Sequence, residues 1–105
     1  MNSLLSQRRE CYVCGRTYHL HRHHIYFGAF RDKSEKWGCW CYLCIDHHTG
    51  SHGVHSANGK ELNYRLKKEC QRAFVKNYDL ETFMKEFKRN YDTETESNEL
   101  LTEPR

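Results

Sequence analysis

The feature that most constrains this chain is a dense set of cysteine and histidine residues between positions 11 and 55. Five of the six cysteines and all eight histidines lie in this stretch. Core packing does not account for such crowding, whereas thiolates and imidazoles are the protein groups that most readily bind zinc. We therefore expect two neighbouring metal sites on one small domain, one structural and one catalytic.

Length and cellular compartment favour metal ligands over disulfide bonds. A chain of 105 residues, 37% of them hydrophobic, fits one small domain that a bound metal would help to stabilise. Residues 1–9 contain no apolar run of signal-peptide length, and no stretch approaches the ~20 apolar residues of a membrane span. We expect a cytoplasmic protein with no membrane partner and with reduced thiols.

Charge is distributed unevenly along the chain. The net charge is +3, but residues 92–105 carry five acidic residues and one basic residue, which leaves 16 basic and 9 acidic residues in 1–91. Such a basic excess suits a polyanionic partner such as nucleic acid, and it equally fits an ordinary solvated surface. Residues 92–105 show no hydrophobic period, and we predict that they form a disordered acidic tail.

Hydrophobic patterning predicts a mixed α+β fold. Strands are expected at 17–27 and 39–43, separated by a polar, basic loop at 29–38. A short helix should begin near Ile45. Two longer helices should follow, the first over 60–78 and the second after Asp79, which can cap its N-terminus. The chain then divides into a polar arm (1–10), a zinc-stapled core (11–59), a helical extension packed on that core (60–91) and the tail (92–105).

The structural zinc site needs four ligands, and two of them are Cys11 and Cys14, which have the spacing of a metal knuckle. The second pair is either Cys44 with His47 or Cys41 with Cys44, each with two intervening residues. Residues three apart point to opposite faces of a strand but to one side of a helical turn. We favour the pair at the expected helix start, so the predicted ligands are Cys11, Cys14, Cys44 and His47.

Five segments in order resemble those of the HNH, or His-Me finger, endonucleases, and most of all small phage-type members. The segments are CYVCG, LHRHHI, SEKWG, LCIDHH and GVH, and the resemblance covers about residues 11–75. It implies a ββα-metal core, in which a hairpin, a loop and a helix hold one divalent ion. It also implies hydrolysis of phosphodiester bonds in DNA, with Mg²⁺ or Mn²⁺, or else Zn²⁺ or Ni²⁺, as the catalytic ion. The phage-type resemblance implies that the protein is encoded by a phage or acts in the cytoplasm of a bacterial host.

The resemblance also assigns roles by position. It implies that His24 is the general base that activates water, and that His23, His48 and His55 bind the catalytic ion, with His52 as the alternative to His55. The family's middle asparagine, which orients the base, has no counterpart between His24 and Cys44. A backbone carbonyl or another residue would have to orient His24. The residues expected to hold flanking phosphates are Arg22, Arg31, Lys33 and Lys36.

The alternative function is a non-catalytic zinc-binding module that binds nucleic acid or a protein, for instance as an accessory in phage recombination or packaging. The histidines outside the zinc site favour the nuclease over this alternative, because a non-catalytic zinc module does not need them. If the chain is a nuclease, one small site addresses one phosphate. A double-strand cut would then require a homodimer or a phage or host protein partner.

Overall fold

The fold is α+β, as predicted, and is organised around one two-stranded antiparallel sheet. A computed structural model of the chain describes residues 2–92, so the predicted disorder of the acidic tail falls, apart from Asp92, outside the described residues. The strands and helices of the described part are β1 (Leu20–His24), α1 (Arg31–Trp37), β2 (Trp40–Cys44), α2 (Ile45–His48), α3 (Lys60–Asn77) and α4 (Leu80–Phe87).

The hairpin of β1 and β2 places the strand histidines on its two faces. Leu20 lies opposite Cys44, and His24 lies opposite Trp40. Because side chains alternate along a strand, His21 and His23 share one face, whereas Arg22 and His24 share the other. The predicted strand 17–27 is therefore too long, and the predicted strand 39–43 begins one residue early. The first strand is shortened because His19 has a φ of 52°, which interrupts extended backbone, and because the chain turns after Ile25.

The predicted loop at 29–38 is wrong, because this segment contains the helix α1. The helix is held by tertiary contacts rather than by an apolar stripe. The buried hydroxyl of Ser34 accepts a hydrogen bond from the backbone N–H of Tyr26 at 3.0 Å and donates one to its carbonyl at 2.7 Å. On the same helix, Trp37 Nε1 donates to Glu86 Oε1 at 2.8 Å. These contacts attach α1 to the end of β1 and to α4.

The two C-terminal helices agree with the prediction and supply much of the core. The side chain of Asp79 accepts a hydrogen bond from the backbone N–H of Thr82 at 2.7 Å and caps α4, as expected. The ring of Tyr26 packs between the helices, 4.5 Å from that of Phe87, and its hydroxyl donates to the carbonyl of Lys67. Fully buried side chains that line this core are those of Leu66, Cys70, Phe74, Phe83 and Phe87.

The N-terminal residues, predicted as a polar arm, are attached to the hairpin. The hydroxyl of buried Ser3 donates to the carbonyl of Trp40, and the backbone N–H of Leu4 donates to the carbonyl of Gly38 at 2.8 Å. Leu4 and Leu5 pack against the core. Among the described residues, no helix combines the length and the apolar character needed to cross a membrane.

Candidate metal centres

Four predicted ligands of the structural zinc ion converge at one end of the hairpin. Their ligand atoms all lie within 4.8 Å of one another. The Sγ atoms of Cys14 and Cys44 are 3.8 Å apart, and Cys44 Sγ is 3.3 Å from His47 Nδ1. Between Cys11 and Cys14 the chain turns back on itself, and the backbone N–H of Gly15 donates to the Cys11 carbonyl at 2.8 Å. The cluster consists of Cys11, Cys14, Cys44 and His47.

The environment of this cluster favours a thiolate at Cys11 but disfavours a second one at Cys14. Burial raises the pKa of Cys11, but hydrogen bonds from the backbone N–H groups of Cys44, Cys14 and Val13 outweigh burial and lower the pKa to about 6. The pKa of Cys14 is raised although a backbone hydrogen bond from Arg16 lowers it, because burial and the neighbouring thiols Cys11 and Cys44 disfavour a second negative charge. A divalent cation relieves this mutual repulsion.

Three thiolates and one imidazole are a donor set that zinc prefers. The cluster could hold a metal ion, and its Cys₃His composition is consistent with structural zinc. Cys41, the alternative to His47, lies outside the cluster. Its side chain is buried in the core, and burial raises its pKa to about 12, which keeps the thiol protonated and unsuited to metal binding.

A second cluster consists of three histidines, His23, His48 and His55. One ring nitrogen of each lies within 4.8 Å of the others, and the ring centroids are 4.9–5.4 Å apart. The cluster opens into a pocket of about 240 Å³ that is also lined by His24 and Arg31. The structure thus brings together the three histidines that the family resemblance assigned to a catalytic ion.

A tight loop after α2 brings His55 to this cluster. The backbone N–H groups of Val54 and His55 donate to the carbonyls of His47 and His48, at 3.0 and 3.3 Å. The approach is so close that a Cβ atom on Gly53 would lie 2.5 Å from the His48 carbonyl oxygen. His52, the alternative ligand, is exposed and lies outside the cluster, with its ring beside the Ser51 hydroxyl. Only a glycine fits this close approach, so Gly53 lets the chain return and bring His55 to the cluster.

His23 has an unusual environment for a polar side chain. It is only 1% exposed, and its Nε2 is buried without a hydrogen-bond partner. Burial, followed by the proximity of His48 and His55, lowers the pKa of His23 to about 3. Burial, followed by His55 and His21, lowers the pKa of His48 to about 4. Both rings are therefore neutral at pH 7, which is the form that binds metal ions.

His21 contacts the second cluster, a role that the sequence did not reveal. Its Nδ1 lies 2.9 Å from Nδ1 of His48, so a hydrogen bond joins the two rings. This contact occupies Nδ1 of His48, so Nε2 is the ring nitrogen that remains for a metal ion. Histidines that bind metals commonly have their second nitrogen fixed by such a partner. The sequence contains one indication of this contact: His21 and His23 are two residues apart, and such residues share one face of a strand.

Glu35 is the second residue that the sequence did not identify. Its Oε1 lies 2.7 Å from Nε2 of His24, and its Oε2 accepts a hydrogen bond from Arg22 at 3.1 Å. The hydrogen bond with His24, supported by the charge of Arg22, lowers the pKa of Glu35. The guanidinium of Arg22 also lies 3.6 Å from the ring centroid of Trp40. His24 is thus held by a carboxylate that is itself held by an arginine.

The four residues that were expected to bind phosphates lie in different surroundings. Arg31 and Arg22 line the histidine pocket, although Arg22 is engaged with Glu35. Lys33 Nζ donates to the Glu86 carbonyl at 3.1 Å, and Lys36 Nζ lies 5.4 Å from the centroid of the neighbouring Trp37 ring. Neither lysine lines the pocket. The reason is that their segment is a helix, which turns successive side chains by roughly 100°.

No family model, curated protein or solved structure matches this chain. The chemistry of the two clusters is therefore the basis for assigning a function.

Proposed function

We propose that the chain is a metal-dependent endonuclease of the HNH, or His-Me finger, type, which hydrolyses phosphodiester bonds in DNA. The observation that carries this proposal is the convergence of His23, His48 and His55 in one open pocket that also contains His24. In this proposal β1, β2 and α2 form the ββα-metal core, and the Cys₃His cluster binds structural zinc.

The histidine cluster fits a divalent ion. A buried nitrogen without a partner, such as Nε2 of His23, costs about 1–3 kcal/mol, and a bound cation would remove this cost. Three neutral imidazoles suit Zn²⁺ or Ni²⁺ better than Mg²⁺ or Mn²⁺, which prefer oxygen ligands. A divalent ion bound by His23, His48 and His55 would supply Lewis-acid stabilisation of the charge that develops on the phosphate.

His24 is the general base in this proposal. When the Nε2–H group of His24 donates a hydrogen bond to Glu35, Nδ1 keeps its lone pair and can take a proton from the attacking water. Glu35 fixes the tautomer and the orientation of the ring. In the family an asparagine performs this task, and this chain lacks that asparagine. Arg31, at the edge of the pocket, would bind a phosphate oxygen of the substrate.

The competing function is a non-catalytic zinc module that binds nucleic acid or protein. One observation favours it: the chain has no asparagine between His24 and Cys44, where the family has the residue that orients the base. The pocket argues against it, because a structural site is closed, whereas this cluster opens to solvent beside His24 and Arg31.

A plasmid-nicking assay tests the nuclease. Zinc-loaded protein would be incubated with supercoiled DNA and Mg²⁺, Mn²⁺, Ni²⁺ or additional Zn²⁺. We expect nicking by the wild type and by His52→Ala, the control that removes a histidine outside the cluster, and loss of nicking by His24→Ala. Zinc content and thermal unfolding would verify that each variant is folded. Absence of nicking with every ion, or equal nicking by His24→Ala, would refute the proposal.

A further inference from the structure

Two cations from different helical segments lie near the same tyrosine ring, beside the histidine pocket. Lys67, half-buried on α3, has its Nζ 4.6 Å from the ring centroid of Phe27 and 5.4 Å from that of Tyr91. The guanidinium carbon of Arg89, just after α4, lies 4.9 Å from the same Tyr91 ring. Phe27 lines the histidine pocket, and its ring centroid is 5.1 Å from that of His55. One aromatic ring therefore separates Lys67 from the second cluster.

The surroundings of this cation pair are held in place by hydrogen bonds. The backbone N–H of Tyr91 donates to Gln71 Oε1 at 2.6 Å, and the hydroxyl of Tyr64 donates to the Tyr91 carbonyl at 3.0 Å. The Tyr91 ring also stacks on Tyr26, with centroids 5.3 Å apart. The segment that carries Arg89 is thus anchored back onto α3, and both cations lie within 5.4 Å of the centroid of the Tyr91 ring.

Neither cation has an acidic partner in the described part of the chain. Several other arginines, including Arg22, Arg65 and Arg72, form ion pairs with carboxylates. Burial, together with the charge of Arg89, lowers the pKa of Lys67, and the charge of Lys67 in turn acts on His23. Two like charges beside one aromatic ring repel each other, and an anion bound to both would offset that repulsion.

We propose that Lys67 and Arg89 form a second anion subsite, which binds a backbone phosphate next to the phosphate that enters the histidine pocket. The identity of the neighbouring phosphate rests on the proposed function, but binding at the subsite does not require cleavage. A nucleic-acid strand would then run from Arg31, across the pocket and past Phe27, to Lys67 and Arg89. This path uses the C-terminal helices as part of the binding surface.

Salt-dependent DNA binding tests the subsite. The probe is a fluorescently labelled DNA duplex, titrated with zinc-loaded full-length protein at several salt concentrations and without a second metal ion. The test variant is Lys67→Gln with Arg89→Gln. The matched control is Lys76→Gln with Lys85→Gln, which removes the same charge from exposed positions on α3 and α4. Lys76 is nine residues after Lys67 on α3, roughly 13 Å along the axis.

We expect the test variant to bind DNA about tenfold or more weakly than the wild type, with the control close to wild type. The slope of log affinity against log salt should become shallower by about 0.9 for each lost phosphate contact. Thermal unfolding should show that both variants remain folded. Equal affinity and equal slope for the test variant and the control would overturn the subsite.

The nicking assay separates failure of the subsite from failure of the nuclease. If the wild type nicks DNA but the test variant binds DNA like the control, the subsite is wrong and the nuclease stands. If the test variant alone loses affinity for DNA and no protein nicks, the subsite stands and the nuclease is wrong.

Discussion

Nε2 of His24 lies 2.7 Å from Oε1 of Glu35, which joins the end of β1 to the middle of α1. The family resemblance implied a base histidine but left its orienting group unassigned. The structure places the carboxylate of Glu35 beside His24, and Arg22 donates a hydrogen bond to its second oxygen. In the proposed mechanism this carboxylate fixes which nitrogen of His24 is free to accept a proton.

Replacing Glu35 by alanine should reduce the nicking rate about 10–100-fold, the usual cost of removing such an outer partner. The cause would be loss of the fixed tautomer and orientation of His24. The comparison is Asp32→Ala, which removes an exposed carboxylate from the first turn of the same helix. Nicking rates measured at saturating DNA should separate the two variants, whereas similar rates for both would show that Glu35 does not position the base.

The sequence could not reveal Glu35, because its role depends on where α1 packs. Residues 29–38 are polar and lack an apolar stripe, so they were predicted as a loop. The helix forms because the buried Ser34 satisfies the backbone of Tyr26 and because Trp37 binds Glu86 on α4. These contacts join residues 8 and 49 positions apart in the chain, so the pattern of residues within 29–38 does not predict them.

The Cys₃His cluster could be predicted from the sequence, because each pair of its ligands lies within a short segment. Two of its ligands are three residues apart in a knuckle, and the other two are three residues apart at a helix start. Local geometry therefore fixes each pair, and only the meeting of the pairs depends on tertiary structure. The same reasoning favoured His47 over Cys41, which the structure buries in the core outside the cluster.

Changing Cys14 to serine should abolish stoichiometric zinc binding and destabilise the fold. Cys14 is exposed, so this substitution removes a ligand with little loss of packing. Cys70→Ala is the control, because it changes a buried cysteine of the core that lies outside the cluster. Elemental analysis should find zinc in the control but not in Cys14→Ser. Full zinc occupancy in Cys14→Ser would contradict the ligand assignment.

Changing His55 to alanine should weaken binding of a second divalent ion while leaving the zinc content unchanged. His55 is exposed and is brought to the cluster only by the loop after α2, so its loss should cost little stability. Calorimetric titration of the zinc-loaded protein with Ni²⁺ would measure the effect. His52→Ala should bind Ni²⁺ like the wild type, and equal weakening by both substitutions would indicate that the cluster is not the binding site.

Changing Phe83 to alanine should lower the free energy of unfolding by about 3–5 kcal/mol, because it leaves a cavity between α3 and α4. Phe83 is 0% exposed and contacts both Tyr26 and Phe74. Leu80→Ala, on the same helix but 42% exposed, should cost less than about 1 kcal/mol. Denaturant unfolding of the zinc-loaded proteins would measure both values. Similar losses would mean that α4 is not a core element.

The neighbours His47 and His48 belong to different clusters, although both lie on the four-residue helix α2. A helix this short has no independent stability, so the bond from His47 to zinc would hold the backbone from which His48 projects. The two sites should consequently load in a fixed order. Zinc must enter first, and a chelator that extracts it should also release the second ion. A newly synthesised chain would acquire its second site only after the first had been filled.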